Sequence, residues 1–85
     1  MPIYKTRFSH SAQKEFDHLD RTLQTRIIKK LKMLEVNPRG MDAIKMSGSS
    51  SWRVRVGDYR VIYDIIDQVL TVLVLKIGHR RDIYR

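Results

Sequence analysis

The chain contains no cysteine, which excludes a disulfide framework and any thiolate-ligated metal site. Its three histidines, at positions 10, 18 and 79, are scattered and form no zinc motif. Long apolar runs are also missing. The most apolar stretch, Val69 to Leu75, is far below the ~20 residues a membrane-spanning helix needs, and Met1-Pro2-Ile3-Tyr4-Lys5 lacks the apolar centre of a signal peptide. These absences predict a soluble cytoplasmic protein with no membrane partner. Acidic residues are scarce: 9 Asp and Glu face 17 Lys and Arg, a formal charge of +8. Such a surface favours a nucleic acid or another anionic partner. Residues 1 to 51 hold 10 basic and 5 acidic residues, and residues 52 to 85 hold 7 and 4. The excess is therefore +5 and +3, spread along the chain with no detachable basic tail.

With 85 residues the chain is long enough for one small core and too short for two, so residues 1–85 are expected to form a single domain without internal repeats. Ile3 to Phe8 alternates and predicts a first strand. Ser9 or Ser11 can cap a helix carrying Ala12, Phe16 and Leu19 at i, i+4 and i+7 and ending near Asp20. From Arg21 a second helix places Leu23, Ile27, Leu31 and Leu34 on one face until Asn37-Pro38 and Gly40 stop it. Residues 39 to 51 read as a turn-rich link. Strands follow at Trp52 to Val56, Tyr59 to Ile66 and Val69 to Ile77. The order β-α-α-β-β-β predicts an α+β fold in which a small antiparallel sheet packs one face on an N-terminal helical hairpin.

Successive strand side chains point to opposite faces, so in Trp52-Arg53-Val54-Arg55-Val56 the two arginines share one face and the apolar residues the other. Closing a hairpin on Gly57-Asp58 sets Val56 opposite Tyr59, Arg55 opposite Arg60 and Val54 opposite Val61. Facing like charges cost roughly 0.2–1 kcal/mol, which makes an anion the natural third party. The ending Gly78-His79-Arg80-Arg81-Asp82-Ile83-Tyr84-Arg85 adds an imidazole, more guanidinium groups and a phenol. Arginines on an exposed strand are often only solvated charge, and it is the opposition of Arg55 and Arg60 that points to a phosphate-rich ligand. Lys29, Lys30 and Lys32 read as a solvated helix face, and His10 and His18 as surface residues. Trp52, Tyr59 and Tyr63 fall on the expected core face. This argues against a passive RNA-binding module, which would expose stacking platforms.

Ile44-Lys45-Met46-Ser47-Gly48, Trp52-Arg53-Val54-Arg55-Val56, Asp58-Tyr59-Arg60-Val61-Ile62-Tyr63, Ile77-Gly78-His79-Arg80-Arg81 and Tyr84 occur in an order and spacing that resembles the RelE toxins of bacterial and archaeal toxin–antitoxin systems. The resemblance spans essentially the whole chain and implies the RelE-like fold. It also implies an mRNA interferase that enters the ribosomal A site, cleaves the message there, and is held inactive by a cognate, RelB-like antitoxin with an acidic toxin-binding segment. Carried over by position, the catalytic set would be Arg53, Arg55, Arg60, Arg80 and Tyr84, with Lys45, His79 and Arg81 helping to bind substrate. Arginine stands where the best-known members carry lysine at 53 and 55, which keeps charge but removes a proton acceptor. Tyr84 and His79 both remain open as the general base. RNA supplies its own nucleophile, so neither a metal nor a cofactor is expected. A ParE-like inhibitor of DNA gyrase is the alternative within the same fold.

Overall fold

The computed structural model describes residues 3–40 and 42–79. Strand β1 (Lys5–Phe8) leads into helix α1 (His10–Asp17) and helix α2 (Arg21–Val36), followed by β2 (Ile44–Lys45), β3 (Trp52–Val56), β4 (Tyr59–Ile66), a single 3-10 turn at Asp67–Val69, and β5 (Thr71–His79). Both helices start on side-chain caps. Ser9 Oγ accepts the Ala12 amide at 3.2 Å, and Asp20 Oδ1 accepts the Leu23 amide at 2.8 Å, each quenching a donor that has no partner within its helix. Helix α1 stops at Asp17, short of Asp20, because Asp20 is already the cap of the next helix.

Helix α2 buries Ile27, Leu31 and Leu34, the stripe legible in the sequence. With Ala12 they cover Val54, Val56, Val61, Tyr63, Val72, Val74 and Ile77. Phe8 and Phe16 close one side of this core in an edge-on pair 5.3 Å apart.

The strands form one five-stranded sheet in the order β1-β5-β4-β3-β2. The expectation of a purely antiparallel sheet is corrected by β1, which runs parallel to β5 with Lys5 opposite Thr71 and Phe8 opposite Val74. Strands β2 to β5 are linked by short turns and must alternate in direction. Strand β1 is separated from them by the helical hairpin, a crossover long enough to permit a parallel partner. Strand β2 is an addition to the expected order: Ile44 and Lys45 pair with Arg53 and Trp52. Two residues carry no readable periodicity.

The β3–β4 register is the expected one, with Arg55 opposite Arg60 and Val54 opposite Val61. Between β4 and β5 the pairing shifts: Ile62 faces Lys76 but Tyr63 faces Val74, leaving Leu75 as the extra residue of a bulge. The bulge lets Val72, Val74 and Ile77 all reach the core, which strict alternation would forbid. Strand β5 also begins two residues later than expected, because Asp67–Val69 turn as a 3-10 unit and Leu70 adopts the left-handed conformation at φ 47°. Tyr4 and Arg39 both bind the Asp67 carboxylate, at 2.6 and 2.9 Å.

The β1 side of the sheet is covered by side chains. Beyond the end of β1, α1 takes over the flank of β5, with Ile77 N–H donating to Glu15 Oε1 at 2.8 Å and Ser9 Oγ donating to the Leu75 carbonyl at 3.3 Å. On the outer side of β1, Glu35 Oε2 accepts both the amide and the hydroxyl of Thr6. Occupied edges of this kind resist unwanted strand pairing. Buried Tyr63 donates its hydroxyl to the Pro38 carbonyl at 2.6 Å, which ties the loop after α2 to the core.

Candidate active site

Arg53, Arg55 and Arg60 share the face of the sheet that the helices leave open, as the alternation of the buried valines around them requires. Arg55 is exposed, Arg53 half-buried, and Arg60 retains only 8% of its accessible surface. All three line one cavity of about 240 Å³, together with Asp42, Ile44 and the Val54 segment. The cross-strand partner of Arg60 on β5 is Gly78, which has no side chain. Three arginines of the β3–β4 hairpin thus line one cavity. A cluster of fixed cations in a partly enclosed site is suited to holding a phosphodiester and the extra charge it acquires on displacement.

Asp42 is the site residue that sequence reasoning missed. It lies in the stretch read as a link, eleven positions before Arg53, and reaches the cavity through the pairing of β2 with β3. Its carboxylate is bonded to the Lys30 ammonium, a contact that holds its pKa below the ordinary carboxylate range. Lys30 therefore acts as a tether and is more than solvated charge.

The other expected residues are not with the arginines. Lys45 pairs with Trp52 and stands on the opposite face from Arg53. His79 pairs with Tyr59, again across the sheet from the Arg60–Gly78 row, and the two rings meet edge-on at 5.5 Å. Arg80, Arg81 and Tyr84 lie outside the described residues. His10 and His18 are exposed, and His18 Nδ1 sits 2.7 Å from the Lys14 carbonyl at the end of α1. Among the described residues, no group of three or more His, Cys, Asp or Glu is placed to hold a metal ion. No helix there is long and apolar enough to cross a membrane.

A second basic corner occupies the other end of the open face. Lys5 and Arg7 border a groove of about 620 Å³ whose walls include Ile3, Ile66, Val69, Leu70 and Leu73. Ile3, Val69 and Leu70 are all substantially exposed.

Comparison with known proteins places this geometry in a family. The chain matches the ParE toxin family of type II toxin–antitoxin systems over residues 6–84. It is 31% identical to a RelE-like toxin protein of Escherichia coli, over 95% of this chain and 90% of the relative. It is likewise 31% identical to the mRNA interferase toxin RelE of E. coli strain K12, over 91% and 83%. Among solved structures, a chain of the intact E. coli RelBE toxin–antitoxin complex superimposes with a TM-score of 0.81 at 29% identity, covering 89% of this chain and 95% of that one. The fold expected from the sequence and the match along nearly the whole chain agree: this chain belongs to the RelE/ParE superfamily of type II toxins.

Proposed function

We propose that this protein is the toxin of a type II toxin–antitoxin system and acts as an endoribonuclease that cuts mRNA, in the ribosomal A site. The observation that carries this reading is the arginine cavity, in which Arg55 and Arg60 face each other across the β3–β4 hairpin with Arg53 beside them. Like charges held opposite one another on a strand pair favour an anion between them. The relatives named as mRNA interferases supply the class of anion.

The reaction can be written from the substrate. A base takes the proton of the 2′-hydroxyl, the 2′-oxygen attacks the adjacent phosphorus in line, the bond to the 5′-oxygen breaks, and an acid protonates that leaving oxygen. The products are a 2′,3′-cyclic phosphate and a free 5′-hydroxyl. Arg53, Arg55 and Arg60 clamp the phosphate and stabilise its transition-state charge. Arg80 serves the leaving group, Arg81 and Lys45 attract the RNA backbone, and Tyr84 is the base we favour. His79 packs edge-on against Tyr59 across the sheet from the arginines, a position better suited to binding than to proton transfer. None of these roles calls on a metal ion. The inactivating partner is a RelB-like antitoxin, as the RelBE complexes of similar fold suggest; its toxin-binding segment is acidic, to match the +8 charge of this chain, and the site of action is the cytoplasm.

The test is to induce the protein and map mRNA 5′ ends. Cuts inside translated frames are expected, and a 2′-deoxy nucleotide on the 5′ side of the cut should abolish cleavage because the nucleophile is gone. Gyrase-dependent DNA breaks with messages left intact would assign the ParE-type activity instead.

A further inference from the structure

The cavity that contains His79 has no role in the phosphate chemistry, yet it sits at the same end of the sheet. It measures about 250 Å³ and is bounded by Asp20, Arg26, Asp58, Tyr59 and His79 over a floor of Val56. Tyr59 directly precedes Arg60, His79 directly follows Gly78, and Arg55 lies two residues before Gly57. Two strand residues span about 6.6 Å, so the two cavities lie on opposite faces of the sheet near the same hairpin tip.

The turn is shaped by what lies on it. Gly57 has φ +60°, and a side chain there would bring its Cβ within 3.2 Å of both terminal nitrogens of Arg26. The guanidinium plane of Arg26, from the second turn of α2, therefore rests against the hairpin tip. Beside it stand the edge-on rings of Tyr59 and His79.

This chemistry is wrong for a phosphate, because two carboxylates border the cavity. It is right for an unstacked nucleobase. Single-stranded RNA is read by stacking bases on aromatic rings or guanidinium planes and by hydrogen bonds to their edges. Carboxylates accept from exocyclic amino groups, which adenine, cytosine and guanine carry and uracil lacks. We infer that the cavity between Arg26, Asp58, Tyr59 and His79 is a base-reading subsite for a nucleotide flanking the scissile phosphate, one that favours an amino-bearing base over uracil. The inference rests on the nuclease reading above. RNA would cross the hairpin tip, with its phosphate on the arginine face and the neighbouring base turned into the cavity.

The experiment measures kcat and KM on ribosome-bound messages that differ only in the bases flanking the cut, for the wild type, Asp58→Ala, Asp58→Glu and Arg26→Ala. Both side chains are exposed, so thermal melts of the variants should match the wild type. The wild type should discriminate against uracil at one flanking position by about tenfold, within the range of one good base contact. Asp58→Ala should erase that preference through KM, and Asp58→Glu should retain part of it. Arg26→Ala should raise KM about tenfold for every base by removing a stacking surface. Wild-type cleavage without base preference, or variants that keep the wild-type profile and KM, would overturn the subsite and leave the nuclease standing. A wild type that cuts no message would overturn the nuclease itself, and the subsite with it.

Discussion

The two faces of this sheet are built from the same strands and do opposite work. On the helix side, Val54, Val56, Val61, Tyr63 and Val72 sit at 5% exposure or less against Ile27, Leu31 and Leu34. On the open side, the intervening positions of the same strands carry Arg53, Arg55 and Arg60, with Asp64 opposite Leu73 further along. A single step along β3 or β4 moves from a residue that holds the protein together to one that carries charge. The lesson is that packing and charge are separated here by the parity of a strand position. Substitutions can therefore be chosen to strike either one alone.

The largest stability effect should come from the helix-side face. Ile27 is fully buried at the centre of the core, and Ile27→Ala should cost about 2–5 kcal/mol, since the cavity it leaves can close only in part. For a domain whose whole stability is on the order of 5–15 kcal/mol, that is a large shift in the denaturant midpoint. Cleavage per folded molecule should stay within about twofold of wild type. A parallel loss of specific activity in the folded fraction would show that the faces are coupled.

The mirror experiment is Arg60→Met, which keeps an unbranched stem and removes the guanidinium. Cleavage should fall by about 10²–10³, the usual consequence of losing one fixed group that stabilises transition-state charge. Methionine keeps the packed stem of a residue that is only 8% exposed, so the denaturant midpoint should hold. Full activity, or a marked loss of stability, would show that Arg60 serves the fold and leave the open face without its proposed role.

How far these faces could be read from sequence depends on local signals. The β3–β4 hairpin was legible because alternation and a Gly-Asp turn fix its register together, and the α2 stripe because Ile27, Leu31 and Leu34 keep helical spacing. Strand β2 was not legible, nor was Asp42 as a neighbour of the arginines, since two residues give no period and the pairing is made at a distance. The direction of β1 and the bulge at Leu75 are decided by which edge remains open and by how Val74 and Ile77 both reach the core. Of the site, the three arginines on β3 and β4 were legible as a group. The face of His79 was not, because β5 was expected to end at Ile77 and in fact runs two residues further.

On the helix-side face stands Tyr63, a core residue whose hydroxyl donates to the Pro38 carbonyl. Burial, and then the nearby Asp42 carboxylate, push its pKa up to about 12 from an ordinary value near ~10. A raised folded-state pKa means the folded protein holds the phenolic proton more tightly than the unfolded chain does. The contribution is thus complete below about pH 10 and is lost as pH rises through 12. Tyr63→Phe should cost about 1 kcal/mol at neutral pH for the lost hydrogen bond, and should flatten the stability profile between those two pH values relative to wild type. An unchanged alkaline slope would mean that another group governs that limb.

The smallest effect should be of opposite sign, and it lies at the far corner of the open face. Leu70 is a non-glycine residue at φ 47°, ψ 53° and is 44% exposed. It therefore bears the cost of the left-handed conformation, about 1–2 kcal/mol for an ordinary L-residue, and shields only part of its side chain in return. The hydrogen bonds that fix it there are made by its backbone: its amide donates to the Asp67 carbonyl at 3.2 Å and its carbonyl accepts from the Lys5 amide at 2.8 Å. Both survive any side-chain replacement. Asparagine tolerates this conformation, so Leu70→Asn should relieve most of the strain while giving up a modest apolar contact with the groove beside Lys5 and Arg7. The expected net gain is up to about 1 kcal/mol, or roughly 4–8 °C in Tm for a domain of this size, with cleavage unaltered because the arginine cavity lies at the other end of the face. A lower Tm would show that the leucine side chain contributes more packing than its exposure implies, and that this corner belongs energetically with the helix-side core.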